Sequence, residues 1–177
     1  MIFTPTPLTG AFVILLERIE DERGWFARSF DDGLFREIGL APAFRQCNVS
    51  WNARAGTLRG MHYQTEPFAE AKLIRCTHGA IYDVIIDLRP KSASYCRWFG
   101  LELSYENGRQ LYAPEGFAHG FQTLVDGSEV FYLISQVYSP EHARGVRWDD
   151  ETFAVEWPDA QKRVMSDADL TYPDFIA

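Results

Sequence analysis

The segment IYDVIIDL (Ile81–Leu88) decides the fold class, because it alternates with the two-residue period of a β-strand. Its even-numbered residues are aliphatic or aromatic and would share one face, whereas Asp83 and Asp87 would point to the other. The segment Trp98–Ser104 repeats the pattern, with a phenylalanine and two leucines at its odd-numbered positions. Two alternating segments so close together predict a β-sheet as the framework of the protein.

Further short strands are predicted on both sides, between glycine, proline and aspartate residues that mark turns. A short helix is predicted at Asp32–Ile38, with Asp31 or Asp32 as its N-cap. The stretch Trp157–Ala177 is expected to be coil with a short helix. Many strands, few helices and one core predict an all-β sandwich or barrel in a single domain, residues 1–177. The other predicted strands are Phe12–Arg18, Gly24–Phe30, Phe44–Trp51, Thr57–Gln64, Lys72–Cys76 and Ser128–Gln136.

The composition indicates a globular protein with a sizeable core, since 46% of the 177 residues are hydrophobic. The formal net charge of -8 argues against nucleic acid or an anionic membrane as a partner. It does not argue against a small phosphate ligand, because a local cluster of arginines can bind one in an acidic protein. No apolar stretch is long enough to span a bilayer, and the N-terminus does not predict a signal peptide.

The three cysteines, Cys47, Cys76 and Cys96, are odd in number and match no zinc-binding spacing. They are interpreted as reduced thiols, which predicts a cytoplasmic protein.

A glycine, a proline and a histidine are spaced as in one half of a known barrel motif. Gly108, five residues, Pro114, Gly116 and then His119 resemble the second cupin motif, G-x5-P-x-G-x2-H. Thr123 stands where that motif ends in asparagine. The resemblance implies a cupin-type double-stranded β-helix, or jelly roll.

The first cupin motif is present only in part. Gly56 and His62 match its start, but Gln64 replaces its second histidine, and Lys72 stands where a glutamate is expected. A divalent metal prefers imidazole and carboxylate ligands, and an ammonium would repel it. We therefore expect a cupin pocket without a metal rather than a metal-dependent cupin. The alternative is that His62 and His119 are ordinary core histidines.

Within the cupins, the chain resembles the dTDP-4-dehydrorhamnose 3,5-epimerase family from about Asp21 to about Pro173. The resemblance implies a nucleotide-diphosphate 4-keto-6-deoxyhexose as substrate and inversion at C5 and C3, next to the C4 ketone. It also implies a homodimer that uses no metal or nucleotide cofactor. The segments that carry it are DERGWF (Asp21–Phe26), TLRGMHYQ (Thr57–Gln64), AKLIRC (Ala71–Cys76), YDVIIDLRP (Tyr82–Pro90), PEGFAHGF (Pro114–Phe121), FYLISQVYSP (Phe131–Pro140) and VRWDD (Val146–Asp150).

The resemblance implies four catalytic residues. His62 matches the family's base. Its side chain suits that role, because a neutral imidazole accepts protons near neutral pH. Its carboxylate partner matches Asp169, with Asp167 as the less favoured candidate. Tyr132 matches the proton donor, and Lys72 would stabilise the enolate oxygen. The alternatives are a solvated Asp169, a core Tyr132 and a surface Lys72.

The resemblance also implies a set of binding residues. Arginines belong in it, because the planar guanidinium group can donate to two phosphate oxygens at once. Simple alternation puts Arg59 on the face opposite His62. Either a bulge at Gly60 brings Arg59 to the site, or it serves the site of a partner subunit. The set comprises Arg23 and Arg59 for diphosphate and sugar, His119 for the sugar, Gln46 and Asn48 near the base, and Phe26 and Tyr138 stacked on it.

Arg28 and Arg144 stand where the family usually has acidic residues, and Ala168 where it often has lysine. Thymine presents an N–H donor at N3 that a carboxylate can accept, whereas cytosine presents an acceptor to which an arginine can donate. The exchange could therefore indicate a CDP-sugar rather than a dTDP-sugar. A compensated charge exchange at a tolerant rim is the alternative.

The resemblance leaves other functions open. Relatives with the same histidine and tyrosine invert C3 only or C5 only. A sugar-binding cupin without catalysis, and a ketoisomerase that moves the ketone from C4 to C3, remain alternatives.

Overall fold

The computed structural model describes residues 1–40 and 43–176. Within them the chain forms short strands and two short helices, as the alternating segments predict. The strands are β1 (Ile2–Pro5), β2 (Phe12–Leu15), β3 (Ile19–Asp21), β4 (Gly24–Phe26), β5 (Gln46–Asn52), β6 (Leu58–Gln64), β7 (Lys72–His78), β8 (Ala80–Asp87), β9 (Trp98–Ser104), β10 (Arg109–Ala113), β11 (Phe117–Thr123), β12 (Ser128–Ile134) and β13 (Ala143–Gly145), and the helices are α1 (Asp32–Glu37) and α2 (Asp167–Leu170).

Two antiparallel sheets make up the body of the protein. One has six strands in the order β1-β2-β10-β7-β12-β5, and the other has five in the order β13-β6-β11-β8-β9. Strands β3 and β4 pair only with each other, as a separate hairpin. From β5 to β13 each strand lies in the sheet opposite to the strand before it, except that β8 and β9 are neighbours in the five-stranded sheet. This is the predicted cupin-type jelly roll.

The main core lies between the two sheets, where the inward faces of both meet. The six-stranded sheet contributes Ile74, Leu111 and Val130 to this core. The five-stranded sheet contributes Ile81, Ile85, Leu103, Phe117 and Phe121, and each of these eight residues is at most 4% exposed.

The outer face of each sheet is also covered. Phe35 of α1 packs on the six-stranded sheet beside Leu73 and Tyr112. On the five-stranded sheet, Val84 and Ile86 pack with Phe153 and neighbouring residues of the C-terminal segment. Strand β8 is therefore buried on both faces, which explains its nearly continuous apolar sequence.

Several predicted boundaries are wrong. The predicted strand Phe12–Arg18 ends at Leu15, because Leu15 pairs with the first residue of β10 and no partner among the described residues continues the ladder. The strand predicted at Gly24–Phe30 ends at Phe26, and Phe30 instead packs in the aromatic cluster around α1.

The strands predicted at Phe44–Trp51 and Ser128–Gln136 limit each other, since they pair from Gln46 opposite Ile134 to Asn52 opposite Ser128. Strand β7 is longer than predicted and ends at His78. Strands β1, β3, β10, β11 and β13 were not predicted, because they are short or, in β11, interrupted by glycine and histidine.

The predicted helix is present as α1, and Asp31 rather than Asp32 is its N-cap: the Asp31 carboxylate accepts a hydrogen bond from the Leu34 amide at 3.2 Å. The predicted coil with a short helix at Trp157–Ala177 is confirmed up to residue 176, with α2 as the helix; Ala177 lies outside the described residues. No helix in the described part of the chain is long and apolar enough to cross a membrane. All three cysteine thiols are free.

Candidate active site

A cavity of about 480 Å³ opens between the two sheets. His62 and His119 reach it from β6 and β11 of the five-stranded sheet, and Lys72 and Tyr132 from β7 and β12 of the opposite sheet. The motif residues of both sheets therefore face one another across one space. The remaining lining residues are Val49, Ser50, Trp51, Arg59 and Phe121.

His62 is held by a carboxylate from the C-terminal segment. Its Nε2 donates to Oδ1 of Asp169 at 2.6 Å, and the Gly60 amide donates to the other carboxylate oxygen at 3.4 Å. Burial alone would raise the pKa of the Asp169 carboxyl, but His62, Gly60 and Ser166 together hold that pKa below its ordinary value. Asp169 is therefore a buried carboxylate and not a solvated acid, and the exposed Asp167 is not the partner.

Lys72 is buried and is not a surface lysine. Its ammonium donates to Oε1 of Glu70 at 3.0 Å and to the carbonyl of His62 at 3.1 Å. An ammonium has three N–H donors, so one is left for a ligand in the cavity. Glu70 is itself held by Gln64, whose amide donates to the second carboxylate oxygen at 2.8 Å.

His119 has a carboxylate partner of its own. Its Nε2 lies 2.8 Å from Oδ1 of Asp83, which is fully buried on β8. The other oxygen of Asp83 has no hydrogen-bond partner among the described residues. Burial raises the pKa of the Asp83 carboxyl, although His119 and Lys72 act in the opposite direction. Each cavity histidine thus has one nitrogen bound to an aspartate.

Arg59 lines the same cavity as His62, although simple alternation would separate them. His119 pairs with His62 and Phe121 pairs with Arg59, so the one residue of β11 between these pairs lies opposite two residues of β6. The extra residue is a β-bulge beside Gly60, whose φ of 136° suits glycine. The bulge predicted as one alternative is therefore present. The guanidinium of Arg59 donates to the side-chain oxygen of Asn52 at 2.8 Å.

A second cavity of about 320 Å³ shares three lining residues with the first, namely His62, Lys72 and Tyr132. The two cavities thus adjoin along these side chains. The second extends toward the binding residues expected near a nucleotide. Its further lining residues include Asn48, Tyr138, Arg144 and Tyr172.

The sequence is similar to that of a known protein family. The sequence model of dTDP-4-dehydrorhamnose 3,5-epimerase matches residues 5–176. This chain belongs to that family. A dTDP-4-dehydrorhamnose 3,5-epimerase of Sinorhizobium fredii is 41% identical over 98% of this chain and 89% of the relative.

Solved structures of epimerases in this family have the same fold. The dTDP-4-dehydrorhamnose 3,5-epimerase of Bacillus anthracis, with TDP and pyrophosphate bound, superposes with a TM-score of 0.94. It is 41% identical, over 98% of this chain and 99% of that one. An enzyme of Legionella pneumophila in complex with dTDP-4-keto-L-rhamnose gives a TM-score of 0.90 at 31% identity, over 99% of both chains.

Part of the predicted epimerase site lies outside these cavities. Arg23 forms an ion pair with Asp21 in the β3–β4 hairpin, and its side chain is 85% exposed. Phe26 of the same hairpin is 66% exposed. Arg28 pairs with Asp31 at 2.6 Å. None of these three predicted binding residues lines either cavity, so their roles stay predictions.

Of the other predicted binding residues, Arg59 and His119 line the first cavity, and three more lie at the second. Asn48, Tyr138 and Arg144 line it. Gln46 does not, but its side-chain oxygen accepts a hydrogen bond from the Tyr138 amide at 2.8 Å. Gln46 thus supports the loop that carries Tyr138, and Arg144 donates to the carbonyls of Glu141 and Ala143.

Three residues of the site were missed by the sequence analysis. Asp83 carried a signal, because a carboxylate on the inner face of a strand must find a partner when it is buried. Glu70 stands two residues before Lys72, and its pairing with the Lys72 ammonium follows from the fold. Tyr172 carried no signal, because it lies in an irregular segment after α2.

Proposed function

We propose that the chain inverts C5 and C3 of a nucleotide-diphosphate 4-keto-6-deoxyhexose, converting dTDP-4-dehydro-6-deoxyglucose to dTDP-4-dehydrorhamnose. One observation carries this proposal: His62 and Tyr132 line one cavity from opposite sheets, and Lys72 lines the same cavity. Epimerisation beside a ketone needs a base on one face of the sugar, an acid on the other and a cation at the ketone oxygen. These three residues supply all three groups.

His62 removes the proton. Its Nε2 is bound to Asp169, so Nδ1 is the nitrogen left to act as the base. The C–H bond beside the ketone breaks, the proton moves to Nδ1, and the electron pair passes into the enolate with its charge on O4. The Asp169 carboxylate stabilises the imidazolium that forms.

Lys72 and Tyr132 complete the reaction. The third N–H donor of Lys72 hydrogen-bonds to O4 and stabilises the enolate charge. The Tyr132 hydroxyl then gives its proton to the carbon from the opposite face, so that the configuration is inverted. Exchange with solvent returns His62 and the Tyr132 phenolate to their starting states. The same sequence serves both carbons, because both flank the C4 ketone.

We also propose that the reaction uses neither a metal nor a nucleotide cofactor. The amide of Gln64, at the position of a cupin metal ligand, donates to Glu70 and accepts from the Ser139 amide at 2.6 Å. Lys72 occupies the position of the cupin glutamate with a positive charge. This set of donors suits an enolate and does not suit a divalent cation.

A homodimer is part of the proposal, with a single cupin domain in each subunit and a cytoplasmic location. The β3–β4 hairpin exposes Trp25 and Phe26, and the edge strand β5 exposes Val49 and Trp51, which also line the larger cavity. Such surfaces suit contact with a second copy. The hairpin of one subunit would then bring Arg23 to the diphosphate bound by the other.

A CDP-sugar is the second candidate substrate. Arg144 lines the smaller cavity beside Tyr138 and Asn48, where a base would stack. An arginine there donates to the N3 and O2 acceptors of cytosine. Inversion of C3 alone or C5 alone is the other finer alternative, because the same three catalytic groups serve either carbon.

The test is incubation with dTDP- and CDP-linked 4-keto-6-deoxyglucose in deuterated water, followed by NMR. The proposal predicts deuterium at C3 and C5 and a product with both centres inverted. Deuterium at one carbon would identify a single-position epimerase, and a ketone at C3 a ketoisomerase. No exchange with either sugar would reject catalysis in favour of a sugar-binding protein.

A further inference from the structure

Tyr172 is the aromatic residue that packs against the proposed base. Its ring centroid lies 6.0 Å from that of His62 with an interplanar angle of 70°, an edge-to-face contact. It lines the smaller cavity together with His62. It follows α2 by two residues, so one short segment brings both Asp169 and Tyr172 to the same imidazole.

A glycine provides the place where this ring lies. Gly145 of β13 pairs directly with His62 of β6. A Cβ atom added to Gly145 would stand 2.3 Å from the Cε2 and Cζ atoms of the Tyr172 ring, a distance that no side chain tolerates. The ring therefore lies over bare backbone beside the histidine, and any larger residue at 145 would displace it.

The His62 imidazole needs such a neighbour. Its side chain is 44% exposed, and the hydrogen bond to Asp169 fixes only one of its nitrogens. The ring can still tilt by rotation about its Cα–Cβ and Cβ–Cγ bonds, because one hydrogen bond fixes only one of its atoms. Such a tilt moves Nδ1, whereas proton abstraction requires Nδ1 to stay in line with the C–H bond. The edge of a second ring restricts this rotation.

We propose that Tyr172 is a positioning residue for the base, whose ring, lying on Gly145, holds the His62 imidazole with Nδ1 toward the substrate carbon. The inference rests on the proposed epimerase function. It assigns the effect to the ring and not to the hydroxyl, because the contact with His62 and the packing on Gly145 are both made by ring atoms.

The experiment compares Tyr172→Phe, Tyr172→Leu and Gly145→Ala by kcat, KM, deuterium exchange and melting temperature. Tyr172→Leu and Gly145→Ala should lower kcat and the exchange rate by about 10- to 100-fold, with KM changed less than about threefold. Tyr172→Phe should keep kcat within about twofold, since it retains the ring.

The matched control is Tyr82→Leu. The Tyr82 ring also lies over a glycine, with a Cβ on Gly100 only 2.5 Å from its hydroxyl, but it packs on the outer face of β8. This variant should lose melting temperature and keep kcat. The two substitutions therefore separate positioning from general packing.

The inference is overturned by a folded Tyr172→Leu variant with wild-type kcat, or by an equal loss in Tyr172→Phe, which would assign the effect to the hydroxyl. It is also overturned if Tyr82→Leu lowers kcat as much. Should Tyr172→Leu fail to fold, Gly145→Ala still displaces the ring and decides the question. Absence of exchange in the wild type would instead refute the proposed function.

Discussion

The carboxylate of Asp169 lies 2.6 Å from Nε2 of His62 and is more than 90% buried. Because its pKa is held below the ordinary value, the group is charged at neutral pH despite its burial. A carboxylate can only accept a hydrogen bond, so Nε2 is the donor and Nδ1 is the nitrogen left for the proposed role as base. The carboxylate also stabilises the positive imidazolium after proton transfer. Catalysis should therefore depend on the charge of Asp169 as well as on its shape.

Asp169→Asn should lower kcat by roughly 100- to 10,000-fold, because an amide can donate to Nε2 and favours the wrong tautomer of His62. Deuterium exchange at C5 and C3 should fall by the same factor. Asp167→Asn is the control: this residue lies on the same helix and is exposed, and its kcat should remain within twofold. Wild-type exchange in Asp169→Asn would show that the carboxylate does not act on the base.

Tyr132→Phe should separate proton removal from proton return. Without the hydroxyl, His62 still removes protons, so some deuterium enters the substrate while inversion falls by about 100-fold or more. His62→Ala should abolish exchange at both carbons. Tyr112→Phe, a buried tyrosine outside both cavities, is the control. Full inversion by Tyr132→Phe would remove this residue from the role of acid.

Much of the site was predictable because its residues belong to short motifs on single strands. Two-residue alternation places Lys72 and Ile74 on the inner face of β7, and Tyr132 beside Val130 on β12. His62 and His119 follow from the two half-motifs, which lie on adjacent strands of one sheet. Alternation also separated Asp83 from the apolar face of β8, but it did not show that this other face is the inner one or that His119 is its partner.

What strand periodicity alone could not predict depends on interruptions of strands and on distant contacts. Arg59 reaches the cavity through the extra residue in β6, which was predicted only as one of two alternatives. The contact between His62 and Asp169 was implied by the family resemblance and not by periodicity, since it spans 107 residues and depends on how the C-terminal segment covers the five-stranded sheet. The contact of Tyr172 with Gly145 depends on the same covering segment. No local periodicity carries such information.

Acid stability should depend on Asp87, the second carboxylate on the inner side of β8. It is fully buried, which disfavours its charge, but hydrogen bonds from Arg89, Ser92 and Ser94 lower its pKa from 3.8 to about 2. A lowered pKa in the folded state stabilises the fold above pH 3.8, and this contribution is lost as the pH falls toward 2. The shift corresponds to about 2 kcal/mol.

Asp87→Asn should therefore lower the free energy of unfolding at pH 6 and weaken its decline between about pH 4 and pH 2. Urea titrations at several pH values measure both. Asp149→Asn is the control, because the ion pair of Asp149 with Arg147 is exposed and solvent screens it. A parallel decline in the wild type and Asp87→Asn would show that another group is responsible.

Mixed dimers should reveal whether the hairpin serves the other subunit. Arg23→Ala and His62→Ala should each be nearly inactive as homodimers. In a mixed dimer, the subunit with intact His62 receives the intact hairpin of its neighbour, so one of its two sites is complete. About half of the dimers are mixed after reversible dissociation and random association, so mixing should restore up to about one quarter of wild-type activity. Light scattering establishes the dimer.

If each hairpin served its own subunit, the mixed dimer would contain one site lacking Arg23 and one lacking His62, and no activity would return. A mixture of His62→Ala with Tyr132→Phe is the control. Both substitutions affect residues that line one cavity of one chain, so this mixture should stay inactive.

The nucleotide preference should respond to Arg144, which lines the smaller cavity next to Tyr138. Arg144→Glu replaces donors by an acceptor, so it should favour the N3–H of thymine over the N3 acceptor of cytosine. A hydrogen bond to a charged group is worth roughly 1.5–3 kcal/mol, so the ratio of the Kd values for dTDP and CDP should move toward dTDP by about tenfold or more. Calorimetric titration with both nucleotides measures the ratio, and Arg109→Glu, an exposed arginine at the start of β10, controls for net charge.

Equal changes in both Kd values would place Arg144 at the phosphates and not at the base. Tighter binding of dTDP than CDP by the wild type would contradict the CDP-sugar alternative and leave dTDP as the nucleotide.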